Sequence, residues 1–198
     1  MKWDSDKVAY FIKVNEPFEG RVRTLYADVK GLVTVGVGNL AEPLSVALSL
    51  PFVDGTGRRL TNDEISVWWH DVKNDPQCAT QGYRYAERYA VNGAHLPDKA
   101  IDNLIATRIQ QMWDVLDAYI PKLETYPSRV HMALMSMSWA MGPHFLRAFP
   151  TFKKRLLARD WLGAADQCKI SEVGNPGVKP RNVFNKEMFL AAYGAGDT

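Results

Sequence analysis

Apolar residues recur at helical spacing along most of the chain, and the pattern shifts to short β runs only between Arg23 and Val37. Val8 to Val14, with Phe11 and Ile12, predicts a first helix. Pro17 is expected to end or kink it, because the ring clashes with the preceding turn, leaving Glu19 just past the helix end. Thr24–Ala27 and Leu32–Val37 then read as two strands joined by the turn "DVKG". Thr61 followed three residues later by Glu64 is a capping box and opens a helix that carries Trp68 and Trp69, which read as its buried face.

Beyond that helix, residues 75–97 hold Pro, Gly and Asn with three tyrosines and predict an irregular excursion. Asp98 to Ile120 returns to helical period, with Ile101, Leu104, Ile105, Ile109, Met112, Val115, Leu116 and Tyr119 on one stripe. Ser128 to Met141 is apolar on nearly all sides, as a helix in the middle of a core would be, and Gly142-Pro143 stops it. Further helices are predicted over Thr151–Arg159, Asp160–Cys168 and Pro180–Tyr193. The sum is an α+β, mainly helical chain with a small β element near its N-terminus.

Composition changes this picture little: 198 residues, 46% apolar and 23% charged, are enough for a real core and argue against disorder. A net charge of only +2 argues against a dedicated nucleic-acid binder needing a dense basic stripe but still suits a polyanionic substrate. The two cysteines, Cys78 and Cys168, fit no metal-finger spacing and are read as free thiols. The N-terminal stretch has no apolar core of signal-peptide length, so synthesis in the cytoplasm without a leader of its own is expected. No apolar run approaches the ~20 residues of a membrane span.

The string "GVGNLA" formally satisfies the dinucleotide fingerprint, but it follows the second arm of a hairpin rather than the first strand of a βαβ unit. No Walker sequence, G-x-S-x-G, H-E-x-x-H or paired C-x-x-C occurs, and the four histidines are scattered. The remaining candidate is Glu19, Asp28 nine residues later and Thr34 six after that. Glycosidic cleavage needs a protonated acid at the leaving oxygen and a second carboxylate to hold a water or attack the anomeric carbon. The residues alone leave an alternative open, in which Glu19 is a solvated helix-terminal residue, Asp28 a turn starter and Thr34 a strand filler.

The whole string E-G-x(5)-Y-x-D-x(2)-G-x(2)-T-x-G-x-G, with Glu19, Gly20, Tyr26, Asp28, Gly31, Thr34, Gly36 and Gly38 in register, resembles the N-terminal signature of the phage-type lysozymes, glycoside hydrolase family 24. "MALMSMSWAMG", "FPTFKKRLLARDWLGAAD" and "PRNVFNKEMF" are similar to later segments of that family, so that residues 7–72 resemble it strongly and 104–193 weakly. The resemblance implies a lysozyme-like two-lobed fold, with a small N-terminal hairpin lobe, a helical C-terminal lobe and a cleft between them. It implies one lysozyme-like domain over 1–198, with a catalytic lobe at about 15–60, middle helices and an insertion at about 61–120, and a helical lobe at about 121–198.

The activity implied is hydrolysis of the β-1,4 bond between N-acetylmuramic acid and N-acetylglucosamine in peptidoglycan, with inversion and with no metal or cofactor. Glu19 would be the general acid, kept protonated by burial, while Asp28 activates the water and Thr34 helps hold it. Arg181 resembles the arginine that approaches the acid, its alternative being a surface charge at a helix start. Asn39, Leu40, Trp139, Phe152 and Gln167 align with positions lining the saccharide cleft, with core packing the alternative for Trp139.

Three features depart from the family. Pro17, beside Glu16, interrupts the first helix and makes Glu16 a rival carboxylate, although only Glu19 keeps the nine-residue spacing. Asn39 stands where histidine is common. Residues 75–103 are longer than in the compact phage enzymes, and their tyrosines (Tyr83, Tyr85, Tyr89) could extend the cleft wall or simply pack. The rivals to hydrolysis are a lytic transglycosylase, which needs no aspartate, and a wall-binding module without catalysis. A phage endolysin and a secreted antibacterial effector would read alike, an immunity protein being expected only for the second. A monomer acting on peptidoglycan, without nucleic acid or membrane insertion, is the expectation.

Overall fold

In the computed structural model of the protein, residues 3, 5–173 and 176–196 are described, so positions 1, 2, 4, 174, 175, 197 and 198 of the expected single domain lie outside the described residues. The order is α1 (Ser5–Glu19), β1 (Val22–Ala27), β2 (Val33–Gly36), β3 (Asn39–Leu40), α2 (Leu44–Ser49), α3 (Asn62–Asn74), α4 (Pro76–Gln81) and α5 (Tyr83–Ala86). There follow α6 (Asp98–Tyr119), α7 (Ser128–Met141), α8 (Pro150–Leu157), α9 (Trp161–Gln167) and α10 (Lys179–Gly194), with short 3-10 turns between several of them. The class is α+β and mainly helical, as the sequence predicts. Contacts divide the chain into a sheet-bearing unit, Glu19–Ala106, and a helical unit made of residues up to Phe18 and from Thr107 onward.

In the sheet-bearing unit, β1, β2 and β3 form one antiparallel sheet in that order. Tyr26 faces Thr34 and Ala27 faces Val33, with an irregularity between Val22 and Tyr26. The turn at Asp28–Gly31 closes by a bond from the Gly31 N–H to the Asp28 carbonyl at 2.8 Å. A second hairpin joins β2 to β3 through Val37 and Gly38, so the G-x-G string is a tight turn and not a phosphate loop. Gly36 has φ +69°, and a Cβ there would meet Asn39 Oδ1 and Ile101 Cγ2 at 3.2 Å. Backbone conformation and crowding both require glycine.

The capping box forms as predicted: Thr61 Oγ1 accepts from the Glu64 N–H at 3.2 Å, and Glu64 Oε2 accepts from the Thr61 N–H at 2.8 Å. Trp68 lies edge-on to Phe52 at 5.1 Å, and Trp69 Nε1 donates to the Ala41 carbonyl at 2.8 Å. Both tryptophans therefore act in packing and bracing.

In the helical unit, α7 occupies the residues predicted for it, and every position from Val130 to Trp139 is buried. α10 packs on α7 and α9. Phe145, Phe149, Phe152 and Phe189 form a ring cluster with centroids 5.5–6.4 Å apart.

Of the two outcomes expected at Pro17, an end or a kink, the first does not occur: Pro17 lies inside α1, and Glu19 is the last helical residue rather than just past the helix end. The missing N–H falls in the final turn, where little helix remains to be disrupted. Residues 75–97 are not irregular but a series of short helices, begun by Asp75 capping α4 through the Gln77 N–H at 2.9 Å. Segments of four to six residues are too short to show helical period. Cys78 and Cys168 are buried and free. Among the described residues no helix is long and apolar enough to cross a membrane.

Candidate active site

Glu19 is half-buried at the C-terminal end of α1. Gly20 follows with φ +75° and open space where a Cβ would be, so glycine is needed there for the backbone reversal and not for room. The chain then enters β1, which leads to Asp28.

Asp28 is half-buried, and its Oδ1 accepts the N–H groups of Lys30 at 2.8 Å and Leu32 at 2.9 Å. Its Oδ2 has no hydrogen bond among the described residues. One oxygen thus shapes the turn and the other is available. Thr34, on β2, is buried, and its hydroxyl donates to the Leu32 carbonyl at 3.0 Å. That commits its hydrogen and leaves the oxygen as an acceptor.

The hairpin is braced by a pair that sequence reasoning missed. Glu42 Oε1 accepts from the Val33 N–H at 2.8 Å and from Lys73 Nζ at 2.6 Å, and Lys73 also donates to the Gly31 carbonyl at 2.9 Å. Burial pushes the Glu42 carboxyl up, but the Lys73 and Val33 bonds together hold it below its ordinary value. Lys73 therefore ties the end of α3 to the Asp28 turn at Gly31 and, through Glu42, to the start of β2. A lysine in a last helical turn carries no local signal of such a role.

Asn39 is buried on β3, and its Oδ1 accepts the Val37 N–H at 3.2 Å, so it holds the second turn. Leu40 beside it is 54% exposed. Of the nine residues singled out from the sequence, Glu19, Asp28, Thr34, Asn39 and Leu40 belong to the sheet-bearing unit, and Trp139, Phe152, Gln167 and Arg181 to the helical unit.

Among the latter, Gln167 is exposed at the end of α9. Trp139 is 3% exposed, packed on Phe11 at 5.4 Å and under the Arg108 guanidinium at 4.0 Å. Phe152 is 1% exposed within the phenylalanine cluster. It is a core residue and presents no surface to a ligand, which corrects the expectation drawn from the resemblance. Arg181 is 2% exposed, which overturns its reading as a surface charge. Its Nη1 donates to Asn15 Oδ1 at 2.7 Å and to the carbonyl and hydroxyl of Ser136 at 3.1 Å. Asn15 and Ser136 are the other functional candidates missed, since nothing local links positions so far apart in sequence.

Among the described residues no cluster of His, Cys, Asp and Glu could hold a metal ion. No family model and no curated protein matches the sequence. Solved structures do match: a P22 lysozyme mutant superposes with TM-score 0.56 and 16% identity over 96% of this chain and 99% of its own. An endolysin from Escherichia coli O157:H7 phage FAHEc1 superposes with TM-score 0.57 and 15% identity over 96% of this chain and 94% of its own. The fold is that of the phage lysozymes. In this chain a glutamate stands at the end of α1 and an aspartate in the first hairpin turn.

Proposed function

We propose that the protein is a peptidoglycan hydrolase that cleaves the β-1,4 bond between N-acetylmuramic acid and N-acetylglucosamine with inversion. The observation that carries this reading is the division of labour at Asp28: Oδ1 is fixed by two backbone N–H groups, and Oδ2 is left to accept a hydrogen. Thr34, its own hydrogen engaged with Leu32, is also an acceptor. Two acceptors on one water direct both of its hydrogens and leave an oxygen lone pair to attack the anomeric carbon. As that bond forms, the glycosidic bond breaks, the leaving oxygen takes the proton of Glu19, and Asp28 takes one from the water.

Glu19 must carry a proton to serve as the acid at the leaving oxygen. Leu40, exposed beside the turn, is the apolar surface offered to a sugar ring. The chain acts as a monomer on the bacterial wall, as an endolysin or an antibacterial effector. An immunity protein would be its partner only in the effector role.

The test is turbidity loss of purified Gram-negative sacculi with the wild type, Glu19→Gln and Asp28→Asn, with mass spectrometry of released fragments. Reducing-end muropeptides from the wild type and none from either variant support the assignment. Binding without release would make the chain a wall-binding module. A second reading, a lytic transglycosylase, is favoured by the fact that its turn alone accounts for Asp28; anhydro-muramic ends, with Asp28→Asn still active, would establish it.

A further inference from the structure

The last turn of α1 carries a proline in its backbone and is held by side-chain contacts. Pro17 has no N–H, so the Lys13 carbonyl lacks the partner that an ordinary helical residue would supply. Gly20 turns into the left-handed region immediately after Glu19, so no following residue continues the helical bonds. Glu19 thus stands on a single turn that has lost one of its hydrogen bonds.

Phe18 lies in that turn, and its ring receives the Arg181 guanidinium at 4.9 Å and the Phe184 ring at 6.0 Å. Arg181 is not a loose surface cation. It is buried, and its Nη1 is fixed by Asn15 at 2.7 Å and by Ser136 at 3.1 Å. A desolvated, immobilised guanidinium over an aromatic face is a stronger contact than an exposed one. Asn15, one turn before Glu19 on α1, belongs to the same assembly, so the helix is gripped through Asn15 and through Phe18.

We propose that Phe18 is a positioning residue for Glu19: clamped by Arg181 and Phe184, it replaces the restraint that Pro17 removes from the end of α1. The effect on catalysis rests on the reading of Glu19 as the general acid. The clamp itself does not.

A mutant cycle tests both. Pro17 is exposed, so Pro17→Ala returns an N–H to the last turn without disturbing the core. Phe18→Ala removes the clamp and Phe18→Tyr retains the ring. Residue-resolved amide exchange follows the N–H groups of Phe18 and Glu19, which close the last turn, beside kcat, KM and the pH profile on soluble glycan. In Phe18→Ala the two amides should exchange at least about tenfold faster. Its kcat should fall about tenfold with KM nearly unchanged and the alkaline limb shifted. Phe18→Tyr should stay near wild type, and Pro17→Ala/Phe18→Ala should recover most of both losses.

Unchanged exchange in Phe18→Ala, or a double variant as impaired as Phe18→Ala, overturns the clamp. Faster exchange with unchanged kcat, where Glu19→Gln is inactive, overturns the positioning role. If the wild type cleaves no glycan, or Glu19→Gln remains active, the assignment of Glu19 fails, and the exchange rates alone still decide the clamp.

Discussion

Asp28 Oδ1 accepts the Leu32 N–H at 2.9 Å, closing the turn from which the second oxygen of the same carboxylate projects. Structure and proposed chemistry are therefore separable by substitution. Asp28→Asn keeps an oxygen for the turn and should unfold within about 2 °C of wild type, whereas Asp28→Ala loses about 1 kcal/mol for the stranded N–H groups. Both should lose at least about 100-fold in glycan hydrolysis, because neither can take a proton from water. Thermal scans beside product release check this.

Lys73 offers a second handle on the hairpin. Lys73→Met removes the donor shared by Glu42 and the Gly31 carbonyl, and should cost about 1–3 kcal/mol in urea unfolding. Restoring charge with Lys73→Arg should recover only part, since a planar guanidinium does not fit a site built for a compact ammonium.

Acid should weaken the fold through Glu64. Hydrogen bonds from Arg58, then the Thr61 N–H, lower its carboxyl from 4.5 to about 2. A carboxyl depressed in the folded state contributes stability above its unfolded pKa and loses it as pH falls through the folded one. Stability should thus decline between about pH 4.5 and about 2, and Glu64→Gln should flatten that decline in acid titrations followed by circular dichroism.

What was legible in the sequence was local. Thr61 and Glu64 specify a capping box within four residues, and the apolar run from Ser128 to Met141 specifies a buried helix without reference to anything else. Pro17 is tolerated because it falls in the final turn of α1, while the contacts of Arg181 and Phe184 with the neighbouring Phe18 come from more than 160 residues away in sequence and leave no local signal. The same distance hid the burial of Arg181. Asp28 and Thr34 could be placed at a turn and on a strand from their spacing, but the division of hydrogen bonds between the two Asp28 oxygens depends on the turn's actual closure.

The thiols should be silent in the native protein. Burial pushes Cys168 up to about 11 and Cys78 above its ordinary value, so neither supplies thiolate near neutrality. Ellman's reagent at pH 8 should find essentially no reactive thiol until denaturant is added, when both should react.

A helix buried on every side, as α7 is from Val130 to Trp139, has an azimuth that hydrophobicity does not define. Turned about its axis by the angle of one residue, it would hide much the same apolar area. The degeneracy is broken by polar atoms: His131 Nε2 donates to the Leu123 carbonyl at 2.8 Å, and Ser136 receives Arg181 at 3.1 Å. In the greasiest segment of the chain, the orientation is thus written by its few hydrophilic letters, and erasing them would leave a core equally dry but with more than one way to assemble.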